Sequence, residues 1–253
     1  MRDALRAVAV RACERAGTIT REEFRTGRLD GDYSASDAKT ALDRAAEDRA
    51  VETITETFPE HAIRAEESGD RDGGPYEWIV DPLDGTNNVA AGIPMFAAAV
   101  CVRDGDGPVL SVVHEPLPGD TYVAECGQGA TVNGESISAG THLDLESGTV
   151  SFVMGYDAIG DPDRRERAGA IRGDLEAGCK RVLVSWAPCI DWGLLARGRI
   201  EAIVTYHPDV WEQDAGTLLA REAGVAIHED GPFGIYAADG ATLESVRETV
   251  SLT

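Results

Sequence analysis

The stretch EWIVDPLDGTNNVAAGIPMF, residues 77–96, restricts the fold more than any other part of the chain. An apolar run ends in two aspartates separated by Pro-Leu, and Gly-Thr follows at once. A turn needs no pair of carboxylates, and a solvated acidic loop needs no proline between them. Asp81-Pro82-Leu83-Asp84 fits a β-turn with proline in second place, where its fixed φ is favoured. Such a turn carries both carboxylates and the Leu83 carbonyl to one side of the chain. These are hard oxygen donors, the kind Mg²⁺ takes while keeping waters and accepting phosphate oxygens. Gly85-Thr86 is expected to open a helix whose first amides hold an anion, glycine permitting close approach. An EF-hand calcium loop is excluded by the proline, the three-residue spacing and Gly92 at the twelfth position. The bland alternative is an acidic surface turn.

That alternative has to be weighed because the whole chain is acidic. Forty-five Asp and Glu stand against 23 Lys and Arg, a formal net charge of −22, and the only lysines are Lys39 and Lys180. Such a surface repels nucleic acid and anionic lipid, so neither is expected as a partner. Few lysines beside many carboxylates fit a high-salt cytoplasm, where screening reduces self-repulsion; an acidic mesophilic protein is the other reading. Five cysteines without a CxxC pair or a Cys/His cluster argue against a disulfide framework or structural zinc. With 253 residues, 43% hydrophobic, the chain can bury a substantial core. No apolar run approaches the roughly 20 residues that cross a bilayer. The charged, amphipathic N-terminus is unlike a secretion signal. A soluble, cytoplasmic protein is the expectation.

Helical spacing covers residues 2–25 and roughly 37–57, and Pro59 closes the second segment. HAIRAEESGD reads as a short strand entering an acidic loop, and YEWIV as a strand ending at Asp81. From Phe96 to Gly134, apolar runs alternate with Gly, Pro and Asp turns, as in antiparallel hairpins. SGTVSFVMGYD, KRVLVSW and RIEAIVTYH then read as strands, alternating with helices over DPDRRERAGAIRGDLE, CIDWGLLARG and WEQDAGTLLAREAG. A strand and a terminal helix finish the chain. The pattern is α/β (α+β) in two packed halves, 1–148 and 149–253, the first carrying the main site and the second completing the pocket.

DPLDGT, preceded by WIV and, fifteen residues upstream, by EES, resembles the inositol monophosphatase family of Mg²⁺-dependent, lithium-sensitive phosphatases. That family includes archaeal fructose bisphosphatases and bisphosphate nucleotidases. The resemblance implies a layered α-β-α-β-α sandwich of the sugar-phosphatase type, two or three Mg²⁺ ions (Mn²⁺ as a substitute), inhibition by Li⁺, and a homodimer. It implies that Glu66, Asp81, Asp84 and the Leu83 carbonyl bind metal, with Glu67 beside them. Gly85 and Thr86 would hold phosphate through their amides. The family's upstream Thr-x-x-Asp maps onto Thr40 and Asp43, so that Asp43 and Thr86 orient the attacking water together with Glu66 and its metal. Without the resemblance, Asp43 reads as an exposed helix residue and Glu66-Glu67 as a solvated pair.

Two stretches depart from the family pattern. Its second signature, Trp-Asp before a small-residue helix, is here WEQDAGTLLAREAG. Ungapped, the metal-binding aspartate falls on Glu212; Asp214 is a rival that needs compensating gaps. Either carboxylate could instead cap the helix. The family's small-residue wall of the alcohol pocket is replaced by SWAPCIDW, which puts Trp186 there as a pocket residue or as core packing. The expected activity is hydrolysis of an inositol or sugar phosphate by direct attack of water. Rival readings are a nucleotide or sulfonucleotide phosphatase, and a catalytically weakened relative with a regulatory binding role.

Overall fold

The structure, a computed structural model, describes residues 1–27, 31–33, 38–141 and 143–250, with the backbone alone for 31–33, 38–40 and 212. Helices α1 (Arg2–Thr26) and α2 (Ala41–Thr55) flank a small ribbon of β1 (Gly31–Tyr33) and β2 (Ala38–Thr40). The second helix therefore starts later than its spacing suggests, because residues 38–40 pair with 31–33 as a strand.

Strands β3 (Ala62–Ala65), β4 (Gly69–Arg71), β5 (Glu77–Asp84), β6 (Ala97–Asp104), β7 (Gly107–Glu115), β8 (Asp120–Glu125), β9 (Gly129–Val132) and β10 (Glu135–Ile137) form one sheet. A short helix, α3 (Thr86–Ala91), interrupts the chain between β5 and β6. Strand order is β10-β9-β8-β7-β6-β5-β3-β4, antiparallel except where β3 runs parallel to β5. The alternation of apolar runs and turns from Phe96 onwards is thus a meander of hairpins.

The second sheet combines β11 (Thr149–Met154), β12 (Arg181–Leu183), β13 (Ala202–Tyr206), β14 (Ala226–Asp230) and β15 (Phe233–Ala237) in the order β12-β11-β13-β15-β14. Its helices are α4 (Tyr156–Gly160), α5 (Pro162–Gly178), α6 (Pro188–Ala196), α7 (Val210–Glu222) and α8 (Gly240–Thr249). Strand β11 is parallel to both β12 and β13.

Three apolar clusters show how the layers stack. Leu5, Ala12, Ala46 and Ile54 of α1 and α2 pack on Trp78, Val80, Val100 and Val112 of the first sheet. The opposite face of that sheet, through Ile79, Cys101, Val113 and Tyr122, meets Trp192 and Leu195 of α6 and Leu218 and Leu219 of α7. Ile203 and Tyr236 of the second sheet close the same cluster from beyond. Val150, Val204 and Ile235 face outward onto Ile171, Leu175 and Val246 of α5 and α8. The result is an α-β-α-β-α sandwich. Strand alternation explains it: Ile79 and Val80, neighbours in sequence, enter different cores. The C-terminal ends of β3, β5, β11, β12 and β13 converge on one cleft, the place where parallel strands commonly hold ligands.

Candidate active site

Side chains alternate along a strand, so residues three apart point to opposite faces. Asp81 and Asp84 escape that rule because the strand holds one extra residue. Asp81 pairs with Ala99 and Asp84 with Ala97, so three steps on β5 oppose two on β6. This is a β-bulge, and it brings both carboxylates to the same side. The β-turn expected from Pro82 is therefore corrected: the strand continues through Asp84, and Pro82, lacking an N–H, sits where the ladder skips. The Leu83 amide donates to Asp81 Oδ1 at 3.1 Å. Both aspartates are buried, and their oxygens lie within 4.8 Å of one another and of Cys189 Sγ.

Gly85 turns the chain out of the strand with φ 94°; a Cβ there would sit 2.8 Å from the Met95 carbonyl. Thr86 then starts α3 with its hydroxyl 2.7 Å from Asp43 Oδ1 and 3.1 Å from the Leu83 carbonyl. One proton serves two acceptors, and the nearer, charged one takes it. Asp43 comes from α2 and is buried, not the exposed helix residue its charge suggests. The side chain of Thr40 lies outside the described residues.

Glu66 and Glu67 occupy the turn between β3 and β4 and line the cleft. Glu47, on α2, shapes that turn: its carboxylate accepts the amides of Glu67 (2.6 Å) and Ser68 (2.7 Å). Sequence reading missed Glu47. A signal existed, because Leu42, Asp43, Ala46, Glu47, Ala50 and Ile54 share the buried face of α2, and two acids stand in that apolar register.

The far wall comes from the second half. Asn88 Nδ2 bridges the Met95 and Ser185 carbonyls, both at 2.8 Å, tying α3 to the segment before α6. The Cys189 amide, in the first turn of α6, donates to Asp84 Oδ2 at 2.8 Å. Asp191 lines the cleft and was also missed; its Oδ2 accepts the hydroxyls of Ser185 (2.6 Å) and Ser151 (2.7 Å), while Oδ1 is buried without a partner. Trp186 stands on the cleft wall beside Pro188, 45% exposed, so it is a pocket residue and not core packing.

Asp214 does not reach the cleft. It pairs with Arg103 at 3.0 Å, next to Glu77 and Arg64, on the side of α7 that faces the first sheet. This corrects its candidacy as a metal ligand: two positions along a helix turn a side chain by about 200°. The side chain of Glu212 lies outside the described residues. A carboxylate that the sequence did not single out, Asp209, lines the cleft just before α7 and accepts the Tyr156 amide at 3.0 Å.

Seven carboxylates thus line the cleft (Asp43, Glu66, Glu67, Asp81, Asp84, Asp191 and Asp209), and among the described lining residues there is no Lys, Arg or His. Burial pushes the Asp84 carboxyl well above its ordinary range; the Cys189 amide opposes this, and the charges of Asp191 and Glu66 add to it. Burial likewise raises Asp191, to about 7, against the two serine hydroxyls. Buried, crowded carboxylates without a cationic side chain call for a cation from outside. The donor set at the bulge, two carboxylates with a nearby carbonyl and Glu66, fits a hard divalent ion such as Mg²⁺.

The sequence model described as the inositol monophosphatase family matches residues 1–250. The Nus factor SuhB of Escherichia coli K12 is 32% identical over 230 residues, 88% of this chain and 84% of that protein. Among solved structures, the extragenic suppressor protein suhB of Bartonella henselae superposes with a TM-score of 0.89 at 22% identity, covering 99% of this chain and 100% of that one. The inositol monophosphatase of Anabaena (Nostoc) sp. PCC 7120 gives 0.82 at 24% identity, covering 98% and 97%.

Proposed function

This chain belongs to the inositol monophosphatase family, and from that premise we propose that it hydrolyses phosphate monoesters of a sugar or inositol by direct attack of water. The observation that carries the reading is the bulge at Pro82, which turns Asp81 and Asp84 to one face beside the Thr86–Asp43 pair. An acidic surface turn would be solvated; these carboxylates are buried in a cleft.

Glu66, Asp81, Asp84 and the Leu83 carbonyl would hold Mg²⁺, with Mn²⁺ as a substitute and Li⁺ as an inhibitor. Bound there, the ion would supply Lewis-acid polarisation of the phosphoryl group and acidify water. The protein's own groups do the rest. Because Thr86 gives its proton to Asp43, its remaining lone pairs face the cleft and accept a hydrogen from the attacking water. As the water oxygen bonds to phosphorus, its proton passes to Thr86 Oγ1 while the Thr86 proton moves to Asp43 Oδ1. The alcohol oxygen leaves with the bonding pair of the P–O bond and is protonated by solvent water, while Asp43 returns its proton to solvent. Amides of Gly85 and Thr86 complement charge on the phosphoryl oxygens. Glu47 holds the turn that presents Glu66.

The acidic surface speaks against nucleic acid and anionic lipid as partners, and no helix among the described residues is long and apolar enough to cross a membrane. A homodimer is part of this proposal only as what the family resemblance implies. A second reading, a regulatory role, is favoured by one observation: relatives such as the E. coli protein bear the name Nus factor. Phosphate release from a panel of sugar, inositol and nucleotide monophosphates, with Mg²⁺ and with EDTA, separates the two. Mg²⁺-dependent release supports the phosphatase; no release from any ester, with Mg²⁺ bound, supports the regulator.

A further inference from the structure

Opposite the acidic floor of the cleft stands an apolar wall. Trp186, Tyr156 and Val184 are 45%, 43% and 38% exposed, and Ile159, Met154 and Pro188 continue the surface. Of the other indoles, Trp78 and Trp192 are fully buried, and Trp211, partly buried, lines the same cleft. Leaving a large aromatic half in water forgoes the gain from burying its apolar surface.

The backbone at Trp186 is also unusual. It holds φ 57°, a left-handed conformation that is unfavourable for a bulky residue. Its neighbours enforce it. Ser185 and Ala187 are buried, Ser185 Oγ donates to Asp191 and accepts the Ala187 amide at 3.1 Å, and Asn88 takes the Ser185 carbonyl. Tyr156 is pinned in its turn by the bond from its amide to Asp209. Both rings are thus held on fixed backbone at the mouth of the cleft, and stacking on them requires little further ordering.

We infer that Trp186 and Tyr156 bind the alcohol half of the ester through a flat apolar face, so that the preferred substrate offers this wall an apolar ring face. The inference rests on the phosphatase reading and narrows its substrate class. It goes beyond the resemblance, since the family's pattern places small residues where Trp186 stands.

Benzyl phosphate and 2-glycerophosphate, both esters of alcohols and not of phenols, are compared in Mg²⁺ with the wild type, Trp186→Ala and Trp186→Phe. In the wild type, kcat/KM favours the benzyl over the glyceryl ester about tenfold, the worth of a good aromatic contact. Trp186→Ala brings the ratio towards one, and Trp186→Phe keeps most of it. A ratio unchanged in Trp186→Ala overturns the wall and leaves the phosphatase reading standing. No hydrolysis of any ester overturns that reading and this inference with it.

Discussion

Thr86 Oγ1 lies 2.7 Å from Asp43 Oδ1, a bond between residues 43 positions apart that joins the start of α3 to the outer helix α2. The contact fixes which way the threonine proton points, and so which lone pairs the cleft receives. Thr86→Ala removes the relay while leaving the carboxylate cradle intact. A loss of about 100-fold or more in kcat is expected, with KM little changed. Thr86→Ser, which keeps the hydroxyl, recovers most of the rate; full activity in the alanine variant would remove Thr86 from the mechanism.

Glu47 touches no substrate, yet it accepts two amides in the turn that carries Glu66. In Glu47→Gln one acceptor becomes a donor facing an amide, at a cost of about 2 kcal/mol. For a chain of this size that lowers Tm by roughly 4–8 °C. The Mg²⁺ concentration for half-maximal activity should rise as well. A Tm shift without that rise would make Glu47 a structural residue only.

Asp214 gives the contrasting case. Its ion pair with Arg103 is partly exposed, and such pairs contribute about 1 kcal/mol or less. Asp214→Asn should leave both the rate and its Mg²⁺ dependence unaltered. A rise of tenfold or more in the Mg²⁺ requirement would return Asp214 to the metal site.

Burial raises Asp84 and Asp191 in the folded protein, Asp191 to about 7. The folded state then binds more protons than the unfolded chain, so stability falls as pH rises through the interval from about 4 to 7. In EDTA the wild type should be more stable near pH 5 than near pH 7.5. Asp191→Asn removes its own share, of the order of 4 kcal/mol. Thermal melts of the two proteins across this interval should therefore converge at low pH, where both side chains are neutral, and diverge at high pH, where only the wild type carries a buried charge. Parallel curves would mean that Asp191 is ionised throughout.

Much of this site was legible in the sequence, and the exceptions have physical causes. Asp81, Asp84, Gly85 and Thr86 sit in six consecutive residues, so local geometry alone brings them together. The bulge was mistaken for a turn because proline suits both, and only the pairing with Ala97 and Ala99 distinguishes them. Glu47 and Asp191 were overlooked because acids in a chain with 45 of them read as surface. Their burial depends on tertiary partners: amides of a distant turn for one, serines of β11 and of the segment before α6 for the other. Asp209 and Asp214 were separable only once the direction of α7 was known. The layered fold needed less, since helical and strand periodicities already matched the elements.

The central claim is that the Asp81–Asp84 cradle holds a divalent cation for phosphomonoester hydrolysis. Phosphate release measured against Mg²⁺ concentration, with the wild type and Asp84→Asn in parallel, tests it most directly. The account predicts saturable, EDTA-sensitive release by the wild type and a loss of about 1,000-fold or more in the variant, whose melting temperature does not fall. Equal rates in the two proteins, or release by the wild type that ignores Mg²⁺, would contradict it.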